Sequence, residues 1–312
     1  MNVLVATDGS KHGRWGLNWV ATLPFVKLPR LTALHVLDRA AFRLPFRTKL
    51  EVQRVEARSR RTIERTKQQL AALKLKGTVR KERGAVVPVI LKRVPKRDGL
   101  LVVGSQGLDA VDRFLLGSVS TKLLHHATCP VFVVKGDAAP LRQIILAIDG
   151  SSASATALEF MLTRFQPNRS AGRSRRMPIH VSVTHVMVPG FWVPITVKSK
   201  IPRIKSQGLT KENLKLIDQS VQKLIEAGFT AEPVYQLGNP AEEIMKVAVD
   251  QHADLIIMGA QGLDAIDRFL IGSVSMRVVQ HANCSVLVVR AQTKHHRSIL
   301  DRYPEISTEV MV

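Results

Sequence analysis

Short apolar runs alternate along this chain with longer stretches of helical periodicity, and the whole alternation occurs twice. Val3 to Ala6, Leu31 to Leu37, Leu100 to Val103 and Val131 to Val134 read as buried strands of the first half. Ile144 to Ala147, His180 to Val186, Thr230 to Gln236, Leu255 to Met258 and Val286 to Val289 repeat them in the second. Thr78 to Arg83 is mostly charged, which predicts an edge strand. Helical patterns run from Lys11 to Leu23, stopped by Pro24, from Lys49 to Leu75 and from Ser118 to His126. The second half has Ala153 to Phe165, Thr210 to Ala227, a start at Pro240 and Ser273 to His281. In the long first-half helix, Val52, Val55, Ser59, Ile63 or Thr66, Leu70 and Leu73 share one face, and Arg54, Arg58, Arg61 and Arg65 share another. Leu214, Ile217, Val221 and Leu224 are the inward set of its second-half counterpart. Strands alternating with helices predict an α/β fold of two tandem doubly wound domains, each with a five-stranded parallel sheet. The expected boundaries are residues 1 to 136, 141 to 290, and a polar tail from 291 to 312. The connections Ala40 to Thr48 and Pro189 to Leu209 read as variable surface segments.

The duplication is sharpest after the fourth strand of each half. Gly104-Ser105-Gln106-Gly107 is followed after nine residues by Gly117-Ser118-Val119-Ser120, and Gly259-Ala260-Gln261-Gly262 by Gly272-Ser273-Val274-Ser275 at the same spacing. The two 17-residue copies differ only at Ser105/Ala260, Val111/Ile266 and Leu116/Ile271. A strand, a glycine loop and a helix start form a phosphate-type site, because glycine admits close approach and the first helical amides attract an anion. A tight strand-to-helix turn is the bland alternative for one such loop; two copies favour a site. Asp8 and Asp149 end the first strand of each half and face the same sheet edge, where such folds bind ligands; each could equally form a turn or cap.

Composition narrows the class. With 45% hydrophobic and 23% charged residues among 312, the chain has the balance of a soluble globular protein of about two domains. No apolar run approaches the roughly 20 residues of a membrane span, and no leader pattern opens the chain, so a cytoplasmic location is expected. Cys129 and Cys284 occupy matched places and are expected to be free thiols; His125, His126 and His281 lack zinc-type spacing. Residues 1–138 hold 26 Lys/Arg against 10 Asp/Glu and residues 139–312 hold 20 against 15, so the net charge of +21 divides as +16 and +5. The basicity belongs mainly to the first half.

These motifs together resemble the universal stress protein family in its tandem form, over nearly all of residues 1 to 290. The pattern G-x2-G-x9-G-S of the ATP-binding branch is matched twice, beside Asp8-Gly9-Ser10 with His35-Val36 and Asp149-Gly150-Ser151 with His185-Val186. The resemblance implies strand order 3-2-1-4-5 and a pseudo-twofold pairing of the two domains within the chain. It also implies ATP as ligand, with Mg2+ as an optional companion. Asp8 and Asp149 would lie by the nucleoside, and the Val36 and Val186 backbone would contact adenine. Gly104, Gly107, Gly117, Ser118, Val119 and Ser120 would hold ribose and phosphates, as would Gly259, Gly262, Gly272, Ser273, Val274 and Ser275. Two departures stand out: Gln106 and Gln261 replace a histidine common in the family, and only the second repeat has the Gly238-x-Pro240-x-x-x-Ile244 helix start.

The implied function is a nucleotide-responsive regulatory module of the stress response. A slow ATPase or self-phosphorylating protein is the enzymatic alternative, disfavoured by the lack of a Walker A lysine and of a base near the serines. No catalytic residue and no metal ligand is assigned. The arginine row reads as a solvated helix face or as a weak anionic-partner surface, for nucleic acid or lipid, at the first repeat and separate from its nucleotide pocket; a homodimer is left open.

Overall fold

The computed structural model describes residues 1–38, 48–107, 116–167, 178–188, 211–262, with backbone only at 211–213, and 271–290. Residues 40–47 of the first variable connection, the Pro189 to Leu209 connection, the tail and the middle of both glycine loops lie outside the described residues. The chain forms two compact units: Met1–Ala21 and Leu28–Asp137 with Arg290, and Thr22–Lys27 with Ala138–Val289.

The first unit runs β1 (Asn2–Ala6), α1 (Lys11–Thr22), β2 (Arg30–Asp38), α2 (Lys49–Ala72), β3 (Gly77–Gly84), α3 (Val86–Arg93), β4 (Gly99–Gly104), α4 (Ser118–His126) and β5 (Val131–Val134). All neighbouring strands are parallel, in the order β3-β2-β1-β4-β5. The second unit runs β6 (Gln143–Ala147), α5 (Ser152–Arg164), β7 (His180–Met187), α6 (Lys211–Glu226), β8 (Thr230–Leu237), α7 (Pro240–Asp250), β9 (Leu255–Gly259), α8 (Ser273–His281) and β10 (Ser285–Val289). Its parallel order, β8-β7-β6-β9-β10, is the same. Each unit is thus a doubly wound α/β domain with the expected strand order. β1 and β4 are flanked by strands on both sides, and their Val3, Leu4, Val5, Leu100, Leu101 and Val102 are almost wholly buried, as unbroken apolar runs require. β3 pairs with β2 alone, which accounts for its charge.

The inner face of α2 is more polar than its apolar positions suggest. Ser59, Thr66 and Leu70 are buried as expected and Thr62 joins them, whereas Val52, Val55, Ile63 and Leu73 are only half-buried. Small hydroxyl side chains suit this face because it rests on a turn: a methyl group placed on Gly9 would stand 2.6 Å from Thr62 Oγ1. Thr62 and Thr66 satisfy their hydroxyls by donating one turn back, to Arg58 O at 3.1 Å and Thr62 O at 2.7 Å. The helix opens on a capping box in which the Glu51 amide donates to Thr48 Oγ1 and the Thr48 amide to Glu51 Oε2. In α6, Ile217 and Leu224 are buried as predicted, and Leu214 and Val221 partly so. Both cysteines are free, and burial pushes the Cys129 thiol up to about 12. No helix of the described residues is long and apolar enough to cross a membrane.

The two units differ at the helix after their third strand. α7 begins with Pro240 at its first position, and Asn239 Oδ1 accepts from the Ala241 and Glu242 amides at 3.1 and 3.4 Å. α3 begins at Ala85, whose side chain caps nothing. Asn239→Ala should therefore lower the unfolding free energy of the second unit by about 1 kcal/mol in urea titration; an unchanged midpoint would show that these two bonds contribute nothing.

Candidate functional site

In each unit the candidate residues gather where the first and fourth strands end. Beyond β1, the Thr7 amide donates to Leu34 O at 2.9 Å, so the chain stays tied to β2 until it turns. The Ser10 amide donates to Asp8 Oδ1 at 2.9 Å and the Gly13 amide to Ser10 Oγ at 3.1 Å; Gly9 between them has φ of +84°, a conformation suited to glycine. Beyond β6, the Ser151 amide donates to Asp149 Oδ1 at 2.9 Å, the Ser154 amide to Ser151 Oγ at 3.1 Å, and Gly150 has φ of +87°. Asp8 and Asp149 thus do form turns, as the bland reading had it. Their second oxygens lie against the glycine loop: a methyl on Gly107 would stand 3.0 Å from Asp8 Oδ2, and one on Gly262 2.9 Å from Asp149 Oδ2. Ser151 Oγ also donates to Gln261 O at 3.3 Å, joining turn to loop directly.

The glycines divide into distinct tasks. Gly104 and Gly259 lie under the first helix of their unit, where a methyl would come within 2.7 Å of His12 Cβ or 2.6 Å of the Ala153 carbonyl carbon. Their lack of a side chain serves packing. Gly107 and Gly262 are exposed and meet only the aspartate, so their openness serves the crevice. The Gly117 and Gly272 amides close the loop by donating to Ser105 O and Ala260 O, both at 2.7 Å. Each of these glycines is the N-cap of a nine-residue helix that no side chain caps, which leaves α4 and α8 opening toward the crevice with their positive dipole ends.

The predicted serines also separate. Ser120 Oγ donates to Gly104 O at 2.6 Å and Ser275 Oγ to Gly259 O at 2.8 Å, so these hydroxyls staple helix to strand and leave only their amides for a ligand. Ser118 and Ser273 are exposed; Val119 is exposed and Val274 half-buried. Val36 and Val186 stand in β2 and β7 at the same sheet edge, each after a histidine anchored to the turn: His35 Nδ1 meets Thr7 O at 2.9 Å and His185 Nδ1 meets Ile148 O at 2.8 Å. A carbonyl only accepts, so Nδ1 carries the proton in both.

Two features were not read from the sequence. His12 lies beneath Gly104 and packs edge-on to Trp15, at 4.7 Å between ring centroids, where the second unit has Ala153; aligning the repeats position by position would have exposed it. His35 is buried, and its Nε2 has no hydrogen-bond partner among the described residues. Burial, only partly offset by the bond to Thr7 and the nearby Asp8 charge, holds the His35 pKa below its ordinary value. Desolvation, aided by Lys11, does the same to His12.

The model of the Universal stress protein family matches residues 1–135 and again 140–290. A universal stress protein of Mycolicibacterium smegmatis is 29% identical over 309 residues, covering 92% of this chain and 96% of its own. Universal stress protein YxiE of Bacillus subtilis is 32% identical over 149 residues, 47% of this chain and 98% of its own. Among solved structures, a universal stress protein from Archaeoglobus fulgidus superposes with a TM-score of 0.65 at 20% identity, covering 93% of this chain and 96% of its own.

The histidines generate a pH prediction. A histidine whose folded pKa is depressed takes up its proton more readily when unfolded, so stability is complete above about pH 6.5 and falls as pH drops below it. Replacing His35 with Gln should flatten the decline of the melting temperature between about pH 7 and 5.5, His12 keeping part of the slope. Parallel curves for the two proteins would show that His35 does not titrate on unfolding.

Proposed function

The chain belongs to the universal stress protein family, and from that premise we propose that each repeat binds an adenine nucleotide, ATP foremost, as a regulatory ligand in the response to stress. One observation carries this reading: in both units an aspartate carboxylate stands within a methyl group's reach of an exposed loop glycine, beside an uncapped helix start. Backbone amides of Gly107, Ser118, Val119 and Ser120, or of Gly262, Ser273, Val274 and Ser275, suit phosphate oxygens, the Gly117 and Gly272 amides being spent on closing the loop. Such charge-assisted bonds contribute on the order of 1.5 to 3 kcal/mol each. Asp8 and Asp149 have a second carboxylate oxygen on the crevice side to accept from a ribose hydroxyl, and the main chain at Val36 and Val186 borders the place for the base. Mg2+ enters this reading with the phosphates, without an assigned protein ligand. Its setting is the cytoplasm, and its output is a change in partner choice rather than a chemical product. The larger basic surplus of the first repeat, +16 against +5, adds attraction for negative charge there.

Calorimetry with ATP should give an affinity near the micromolar range, about −8 kcal/mol, and stronger binding than GTP. Valine at Gly107 or at Gly262 displaces the facing carboxylate and fills the crevice. Each single variant should lose the sites of its own repeat and halve the stoichiometry, while the double variant binds nothing. Full stoichiometry in folded Gly107→Val and Gly262→Val proteins would reduce both loops to turns. Hydrolysis should remain far below the roughly 1 to 100 per second of kinases, because nothing assigned here acts as a base.

A further inference from the structure

The helix that carries the arginine row, α2, rests on the turn that follows Asp8. Along a helix, residues four apart stack into ridges. One ridge reads Arg54, Arg58, Thr62 and the next Arg61, Arg65, Gln69. Thr62 rests on Gly9, the residue after Asp8, and Gln69 Nε2 donates to Arg14 O at 2.9 Å and to Asn18 Oδ1 at 2.7 Å on α1. The first ridge therefore ends on the turn that follows Asp8, and the second on α1 just beyond it. Arg14 adds a guanidinium on the turn itself, donating from Nη1 to Gly9 O at 2.9 Å.

The acids near the row are engaged elsewhere. Glu51 closes the capping box, Glu56 binds Lys81 at 2.7 Å and Arg83 at 2.6 Å, and Glu64 pairs with Lys67 at 3.9 Å. Arg54, Arg58, Arg61 and Arg65 are exposed, and no ion pair reaches them among the described residues. The second repeat differs. There Leu216 meets Gly150, where a methyl would stand 3.4 Å from Leu216 Cδ2, so Leu216 is the counterpart of Thr62. In that register Arg58, Arg61 and Arg65 correspond to Glu212, Lys215 and Gln219, and Arg14 to Ala155. By sequence, the helix covering the turn thus carries very different charge in the two repeats.

We propose that the first crevice selects its nucleotide by phosphate charge, taking a triphosphate or longer polyphosphate chain over a monophosphate, whereas the second discriminates little. This rests on the nucleotide reading of the crevices. A monophosphate and a triphosphate differ by about two charges at neutral pH. Acting across about one Debye length, roughly 8 to 10 Å, three guanidinium charges would convert that difference into roughly a fivefold change in affinity.

The test isolates each site with the valine variants. In Gly262→Val protein, which keeps the first crevice, the ratio of ATP to AMP affinity should exceed that in Gly107→Val protein by about fivefold or more, and the excess should shrink as salt rises. Adding Arg58→Gln, Arg61→Gln and Arg65→Gln to Gly262→Val should remove the excess with little change for AMP, and the matching lysine replacements should retain it. Equal ratios at the two sites, or a ratio that survives the glutamines, would overturn the proposal. Loss of heparin retention with an unchanged ratio would overturn it too and give the row to a separate polyanion. Failure of the parent protein to bind either nucleotide would instead remove the nucleotide reading itself.

Discussion

The close approach of the first helix of each unit to the end of the fourth strand organises everything else at the site. Gly104 lies so near His12, and Gly259 so near Ala153, that no side chain fits between them. A Cβ at either place would push helix from loop and separate Asp8 from Gly107, or Asp149 from Gly262. The Ser120 and Ser275 hydroxyls tie α4 and α8 to the same strand ends by donating to the carbonyls of these two glycines. Packing without space thus creates, a few residues away, an opening with space.

The strand order is the other half of that construction. β4 returns beside β1 while β2 and β3 extend to the other side, so chain direction diverges where Asp8 and the glycine loop meet. Amides at a helix start and a carboxylate from another segment can converge only at such a divergence. The second unit repeats it with β9 beside β6.

Much of this was legible in the sequence, because fully buried parallel strands leave unbroken apolar runs and the duplicated loop announces itself. Less legible was whatever depends on contact between distant segments. Thr62 looks like a surface residue in a periodicity plot, yet it joins Ser59 and Thr66 on the inner face of α2 because it rests on the Gly9 turn and its hydroxyl bonds locally. Ser120 and Ser275 read as phosphate ligands, but the nearest acceptor is the fold's own carbonyl. The division of glycines into packing and crevice positions is likewise invisible along the chain, since G-x2-G has the same letters whichever task each glycine performs.

Duplication separates what the scaffold needs from what each copy has been free to change. The junction residues recur in both units: the aspartate turn, the strand-end glycine, the stapling serine and the histidine tied to the turn. The helix covering the turn recurs only on its inner face. Thr66 and Leu70 are matched by Ser220 and Leu224, and the side chain resting on Gly9 or Gly150 is Thr62 in one unit and Leu216 in the other. Every other outward position of that helix can change without disturbing the crevice, because its ridges touch the turn only at one end. Charge placed there acts through space and needs no new contact. A repeat that holds its geometry constant while its neighbouring helix gathers arginines can therefore alter the preference of a site without altering the site.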